Sequence, residues 1–309
     1  MAPAPLAEPA VSPLPERAPR WHAHGWNRAA VYRWGAPALG ALPRPARLAL
    51  ARGLAALAPF RAERAAVAAN LARIRPAASA AERAALVGRV FAHFAMCFAD
   101  LISTNRSEAR PERLLAGVEG RGHLDAALAG GRGAIFLTAH LGNWELAGRL
   151  LALGLARPTW VLVAEEADPA VERFLRGGAG PVSFVTRRQP AAVVTLPAAL
   201  RRGELVALQG DRALGTRGDA AAPFFGAPAA FPLGPFVLAR AAGAPLVPAF
   251  CVLGPDRRYT IRMLPALRVG AEGEAAALGA WVEILEAAVR ENPEQWFNFF
   301  DVWNGALGN

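Results

Sequence analysis

Residues 131–148 read GRGAIFLTAHLGNWELAG and contain the pattern that decides the fold. The apolar run Ala134–Thr138 predicts a buried strand, and the Gly-Asn pair at 142–143 predicts a tight turn. A helix is then expected to begin near Trp144. This order places His140 at the carboxyl end of a strand, which is the edge where α/β sheets bind their ligands.

The same rhythm of short apolar runs and helical patterns continues through residues 106–309. It predicts an α/β fold with a mixed, largely parallel sheet flanked by helices. No linker-like segment interrupts residues 60–309, so one domain is expected. The predicted strands are Ala134–Thr138, Thr159–Val163, Val182–Val185, Leu205–Leu208, Leu246–Val252 and Tyr259–Met263, and the predicted helices lie near Trp144–Leu153, Pro169–Leu175, Ala191–Arg201, Gly234–Ala242 and Ala275–Arg290.

The region before this core differs in composition. Residues 1–20 contain six prolines and predict a disordered tail. Residues 21–105 predict an N-terminal helical segment that packs with residues 106–309 as one domain. Within it, Ser79 and Glu82 form a capping-box pattern at the start of a long apolar helix.

The charge of the chain is concentrated in its first quarter. The net charge is +9, and all 34 basic residues are Arg. Residues 1–76 carry 11 Arg against 3 Glu, whereas the remaining residues carry 23 Arg against 22 acids. Leu50, Leu54 and Leu57 share one face of a predicted helix among these arginines. Residues 21–61 therefore predict peripheral contact with an anionic membrane; the alternative is a helix packed on the domain with Arg as solvated surface.

Several function classes lack their sequence patterns. No Gly-x-Ser-x-Gly elbow, HExxH pair or dinucleotide-binding turn occurs, and Gly130–Gly133 precedes a strand instead of following one. We expect no metal, no cofactor and no nucleic-acid partner. The two cysteines indicate a reducing compartment. No uncharged apolar run reaches the roughly 18 residues of a membrane span, and the N-terminus does not resemble a signal peptide.

Two side chains beside the turn suit acid–base chemistry. An imidazole titrates near neutral pH, so His140 can take a proton from a hydroxyl. Glu145, one turn into the predicted helix, is expected to fold back and hold the other ring nitrogen. The bare His-x4-Glu spacing is common by chance, and an incidental surface pair is its alternative interpretation.

The wider context resembles the lysophospholipid acyltransferase superfamily and, within it, the bacterial lipid A biosynthesis (lauroyl/myristoyl) acyltransferase family. HLGNWE at residues 140–145 is similar to the His-x4-Asp/Glu motif of that family, and RAAVAANLARI at 64–74 to its preceding helix. FVTR at 184–187, LQGDR at 208–212, PFFGAP at 223–228 and LVPA at 246–249 resemble its later blocks.

The resemblance implies roles for particular residues. His140 is the expected general base and Glu145 its orienting partner. The family implies that Arg187 binds a phosphate or other acidic group of the acceptor, with Asp211 and Arg212 in the same pocket. Ordinary Arg-rich surface and a turn-forming Asp are the alternatives for Arg187 and Asp211. We also expect the Gly142–Asn143 turn to offer donors to the substrate, although a plain turn explains it equally well.

The implied activity is O-acyl transfer at the cytoplasmic face of the bacterial inner membrane. The donor is an acyl thioester of acyl carrier protein or coenzyme A, and the acceptor is a lipid or glycolipid hydroxyl. The chain departs from the family at its end, Pro293–Trp303, and lacks the usual N-terminal membrane helix, which favours an acceptor other than lipid A. The alternatives are a thioesterase-like hydrolase with the same dyad and a non-catalytic lipid-binding protein.

Overall fold

The computed structural model describes residues 39–104, 110–155, 157–163, 182–186 and 192–303, together with positions 35, 171 and 173. The predicted tail at 1–20 and most of the predicted helix Pro169–Leu175 lie outside these residues. The structure describes an α/β fold with an N-terminal helical region, as predicted.

Among the described residues, three helices with defined bounds precede the sheet: α1 (Arg44–Leu57), α2 (Arg61–Ile74) and α3 (Ala80–Ser103). The predicted capping box begins α3, because Ser79 accepts from the backbone of Glu82 and the Glu82 carboxylate accepts from the backbone of Ser79. Within the described part of the chain, α3 is the one helix long and apolar enough to span a membrane. About half of its apolar window (56%) is buried inside the protein, as in the core helix of a soluble protein, so this is weak support for a span.

A buried ion-pair cluster fixes α1 to the rest of the molecule. Asp100, on α3, has no exposed side-chain surface and accepts two hydrogen bonds from Arg44, at 2.9 and 2.7 Å. The Tyr259 hydroxyl donates to the same carboxylate at 3.0 Å. A buried carboxylate needs such partners, because leaving it unpaired costs several kcal/mol, on the order of 3–5. The cluster therefore holds the basic helix against α3 and the sheet.

The described strands of the central sheet are β1 (Leu115–Glu119), β2 (Ala134–Thr138), β3 (Thr159–Val163), β4 (Val182–Thr186), β5 (Leu205–Gln209), β8 (Leu246–Leu253) and β9 (Tyr259–Met263). These seven strands lie in the order β1-β9-β8-β2-β5-β3-β4, and β8, β2, β5, β3 and β4 are parallel. β9 runs antiparallel to β8, and β1 runs parallel to β9. The helices between or after them are α4 (Arg121–Leu128), α5 (Trp144–Leu155), α6 (Ala192–Arg201), α7 (Gly234–Ala242) and α8 (Gly273–Glu291).

The remaining two strands, β6 (Asp219–Phe224) and β7 (Ala227–Pro232), form an antiparallel hairpin that the sequence did not predict. The buried ring of Phe224 stacks on Trp303 at 5.4 Å between centroids and meets Trp296 edge-on at 5.6 Å. The hairpin therefore packs against the C-terminal segment, residues 295–303, which follows α8. One buried hydrophobic cluster includes side chains of α1–α3, the sheet and this segment.

Candidate active site

His140 and Asp211 lie next to each other because β2 and β5 are neighbouring parallel strands. Thr138 pairs with Gln209 at the carboxyl ends of these strands. His140 and Asp211 each follow two residues later, and the backbone N–H of Gly210 donates to the Thr138 carbonyl at 2.8 Å. Both side chains thus emerge at the same edge of the sheet, as expected for a ligand-binding edge of an α/β fold.

The Asp211 carboxylate holds the His140 ring from one side. Nδ1 of His140 lies 2.7 Å from Oδ1 of Asp211, and the backbone N–H of His140 donates to Oδ2 at 3.0 Å. Because an ionised carboxylate only accepts, Nδ1 carries the proton and Nε2 holds the lone pair. The His140 side chain is 15% exposed, and no other described residue makes a hydrogen bond to Nε2. The ring edge that could take a proton thus has no hydrogen-bond partner among the described residues.

Asp211 itself is enclosed by donors from the C-terminal segment. Its side chain has no exposed surface. Oδ2 also accepts from Trp296 Nε1 at 3.2 Å and from Asn298 Nδ2 at 3.2 Å. The backbone of Phe297 donates to the His140 carbonyl at 2.8 Å. Four hydrogen bonds thus fix the carboxylate, which in turn fixes the ring.

The charges around the pair favour a neutral His140 and an ionised Asp211. Burial and the Arg212 cation lower the pKa of His140 below its usual 6.5, and Asp211 offsets part of that effect. Burial alone would raise the pKa of Asp211, but His140, Arg212 and the hydrogen bonds from His140 hold it well below its usual range. A neutral imidazole with an ionised partner is the state that a general base requires near neutral pH.

The turn after β2 depends on Gly142, whose φ of +66° favours glycine. A Cβ at this position would lie 2.0 Å from the Cys251 carbonyl oxygen, so backbone packing also requires glycine. The buried Asn143 begins α5: its Oδ1 accepts from the Leu146 N–H at 3.3 Å, and its Nδ2 donates to the Cys97 carbonyl and the Tyr259 hydroxyl. These contacts describe a helix cap, and substrate binding by Asn143 stays a prediction.

The carboxylate on Nδ1 is not the one that the sequence predicted. Glu145 is exposed in the first turn of α5. Its charge raises the pKa of the buried Arg149 cation, which burial lowers. The local His-x4-Glu spacing suggested a pair within one strand–turn–helix unit, whereas the partner of Nδ1 comes from the neighbouring strand, 71 residues away.

The two predicted anion-binding arginines have different outcomes. Arg187 lies outside the described residues. Arg212 is partly buried, and its Nε donates to Asn298 Oδ1 and its Nη2 to the Phe297 carbonyl, both at 2.7 Å. Burial lowers the pKa of Arg212 to about 10, so the side chain is cationic at neutral pH. Asp211 and Arg212 lie at the same edge of the sheet as His140, and the pocket that the resemblance implied for them with Arg187 stays a prediction.

Sequence reasoning missed the C-terminal segment as a part of the site. Trp296, Phe297 and Asn298 supply the contacts to Asp211, His140 and Arg212 described above. The segment is held at its far side by Asn70 on α2, whose Nδ2 donates to the Asn298 and Phe300 carbonyls at 3.1 and 2.9 Å. A polar Asn298 within an otherwise aromatic run was the available signal. Across the described ranges, no group of three or more His, Cys, Asp or Glu could hold a metal ion.

Comparison with known protein sequences finds a family and several relatives. The sequence model of the bacterial lipid A biosynthesis acyltransferase family matches residues 22–304. Three curated relatives are named phosphatidylinositol mannoside acyltransferase. The chain is 33% identical over 200 residues to the relative from Mycobacterium tuberculosis strain H37Rv. The aligned residues cover 62% of this chain and 60% of the relative. The chain is 29% identical over 190 residues to the relative from Mycolicibacterium smegmatis, covering 60% and 62% respectively. The match thus spans about three fifths of the length of these relatives.

Proposed function

Because the chain belongs to the bacterial lipid A biosynthesis acyltransferase family, we propose that it is an O-acyltransferase that moves a fatty acyl group from a thioester to a hydroxyl of a glycolipid. The observation that carries the proposal is the His140–Asp211 pair at the carboxyl edge of the sheet, in which Asp211 holds Nδ1 and no described residue bonds to Nε2. A neutral, oriented imidazole whose second nitrogen makes no hydrogen bond to a described residue is the minimal machinery for activating an alcohol.

The proposed reaction is a direct transfer. Nε2 of His140 takes the proton of the acceptor hydroxyl as the oxygen attacks the thioester carbonyl. The tetrahedral intermediate then expels the thiolate, which takes the proton from the imidazolium. Asp211 holds Nδ1–H throughout and stabilises the imidazolium, as a carboxylate does for a catalytic histidine elsewhere. No acyl-enzyme is formed, so no protein nucleophile is required.

The orienting role is assigned to Asp211 instead of Glu145. Asp211 contacts Nδ1 directly, is fully buried, and has no solvent to weaken its interaction with the ring. Glu145 is proposed to support the site less directly, by compensating the buried Arg149 on the same helix. Glu145 also lies in the first turn of α5, where the partial positive charge of the helix N-terminus stabilises a carboxylate.

The proposed acceptor is a glycolipid with a free sugar hydroxyl and an anionic phosphate. The relatives that act on phosphatidylinositol mannoside, by their names, favour a mannosylated inositol phospholipid over lipid A. Arg187 is the proposed ligand of the phosphate, since a guanidinium binds phosphate through two parallel hydrogen bonds. The donor is the thioester of acyl carrier protein or coenzyme A.

We also propose that α1 contacts the membrane from the cytoplasmic side. Its inner face, with Leu48 and Ala51, is buried on the protein. Its outer row is apolar and uncovered: Leu50 is 44% exposed, Leu54 57% and Leu57 83%. An apolar row on a helix that carries basic side chains suits the headgroup layer of an anionic bilayer. A glycolipid acceptor would then reach the enzyme without leaving the membrane.

A product assay separates the proposed transfer from the thioesterase alternative. The purified protein is given a radiolabelled acyl thioester with and without vesicles that contain mannosylated phosphatidylinositol. We expect the label to move to the glycolipid and the thiol to be released only when the acceptor is present. Release of free fatty acid at the same rate in both reactions would instead show a hydrolase.

A further inference from the structure

The amide of Asn298 lies between the two charged side chains that act on His140. Its Nδ2 donates to Asp211 Oδ2 at 3.2 Å, and its Oδ1 accepts from Arg212 Nε at 2.7 Å. The residue is only 1% exposed. The amide orientation follows from its partners, because an ionised carboxylate only accepts hydrogen bonds and a guanidinium only donates them.

The cation and the carboxylate are close neighbours that do not form a direct ion pair. Both side chains belong to the described part of the chain, and the ion pair that Asp211 makes there is with His140. Arg212 is instead directed to Asn298 and to the Phe297 carbonyl. Arg and carboxylate side chains that meet in a buried site frequently bind each other through two parallel hydrogen bonds. Here the Arg212 guanidinium is held instead by Asn298 Oδ1 and the Phe297 carbonyl.

We propose that Asn298 is a positioning residue that separates Arg212 from Asp211, so that the carboxylate remains committed to His140. A carboxamide suits this place because it is neutral and presents a donor to the carboxylate and an acceptor to the guanidinium. Leucine, of similar size, would present neither. This inference rests on the proposed function only for its activity readout.

Removing the amide has a predictable consequence. With leucine at position 298, Arg212 Nε loses its acceptor and the guanidinium can turn onto Asp211. The carboxylate then shares its charge with Arg212, and its hydrogen bond to His140 Nδ1 weakens. Asn298→Leu should therefore lower kcat by about 10- to 100-fold. It should also move the titration of His140 to lower pH by about half a unit to one unit, because an imidazolium loses part of its stabilising partner.

A double-mutant cycle combines Asn298→Leu with Arg212→Met. The latter substitution removes the cation that lowers the pKa of His140, so the titration should move to higher pH. In the Arg212→Met background no cation is left to turn onto Asp211. Asn298→Leu should then cause no further shift to lower pH, and the two substitutions should be strongly non-additive. Nonadditivity of this sign is not expected if Asn298 only fills space.

Asn70→Ala is the matched control for a purely structural role. Asn70 anchors the same segment through the Asn298 and Phe300 carbonyls, and its amide is bonded to those backbone atoms instead of to Asp211 or Arg212. We expect it to lower the melting temperature while the titration of His140 stays in place.

The experiment measures the titration of His140 by NMR of ring-labelled histidine, together with the pH dependence of kcat, in all four proteins of the cycle and in the control. A shift to lower pH that occurs with Asn298→Leu only while Arg212 is present supports the proposal. The proposal is overturned by an unchanged titration, by the same shift in both Arg212 backgrounds, or by an equal shift with Asn70→Ala. If Asn298→Leu does not fold, Asn298→Ala replaces it. A wild-type protein without transferase activity would refute the proposed function, whereas the NMR titration would still decide the role of Asn298.

Discussion

Replacing Asp211 with Asn should disable His140 while leaving its position almost unchanged. Three N–H groups converge on Oδ2 of Asp211, from the His140 backbone, Trp296 and Asn298, at 3.0, 3.2 and 3.2 Å. Turning the new NH2 group toward them would leave each donor unsatisfied, at about 1–3 kcal/mol apiece. The amide oxygen must therefore occupy this place, and the NH2 group must face His140 Nδ1.

This orientation forces the wrong tautomer on the imidazole. Nδ1 has to accept from the new amide, so the proton moves to Nε2 and the lone pair that would receive the acceptor proton is lost. The loss of the Asp211 charge also removes the stabilisation of the imidazolium. We expect kcat to fall by about 10³- to 10⁴-fold, which corresponds to about 4–5 kcal/mol.

The assay is acyl transfer to glycolipid vesicles at several substrate concentrations, with circular dichroism to confirm folding. Glu145→Gln, in the motif that the sequence singled out, is the matched carboxylate-to-amide control and should cost clearly less than Asp211→Asn. A folded Asp211→Asn protein within about threefold of wild-type kcat would refute the orienting role of Asp211. A greater loss in Glu145→Gln would return that role to Glu145.

Three other outcomes are expected. On the acidic side of the pH profile, kcat/KM should fall with a midpoint below pH 6.5, because burial and Arg212 lower the pKa of His140. For the same reason, the imidazole binds a proton less readily in the folded protein than in the unfolded chain. Protonation of His140 should therefore reduce the free energy of unfolding as the pH falls below about 6.5. Leu54→Glu should weaken co-sedimentation with anionic vesicles at an unchanged melting temperature, whereas Val237→Glu, at a position exposed to 50% on α7, should not; equal binding of both variants would contradict membrane contact through α1. Gly142→Ala should destabilise the protein by more than about 2 kcal/mol in chemical denaturation because of its positive φ and the backbone carbonyl beside it, while Gly148→Ala, in open space on α5, should be neutral or slightly stabilising; similar midpoints for the two variants would refute the packing argument.

The sequence predicted the elements that have strong local signals. The bounds of β2, β3, β9 and α7 agree with the prediction, and those of β4, β5, β8, α5, α6 and α8 differ by a residue or a few at their ends. The alternation of apolar runs and turns was sufficient for these elements. The β6–β7 hairpin was missed because DAAAPF and APAAFP are rich in Ala and Pro, which have low strand propensity. Its strands are stabilised by packing against Trp296 and Trp303 instead.

The site was only partly predictable for a related reason. His140 followed from a local strand–turn–helix pattern. Its partner on Nδ1 depends on which strand lies beside β2, and that order is set by long-range packing, not by spacing along the chain. The C-terminal segment has no helical or strand period; the polar Asn298 in its aromatic run marked the segment as unusual but did not indicate that it would reach Asp211. Nearness in sequence favoured Glu145, whereas nearness in the folded sheet favours Asp211.

The most direct test of the account compares the wild-type protein with His140→Ala in one reaction. Each is incubated with an acyl thioester and the mannosylated inositol phospholipid, and the masses of the lipid products are measured by mass spectrometry. We expect the wild type to produce acceptor that is heavier by one acyl group, and an equally folded His140→Ala protein to produce none above background. Undiminished product from His140→Ala would contradict the central claim that this imidazole activates the acceptor hydroxyl.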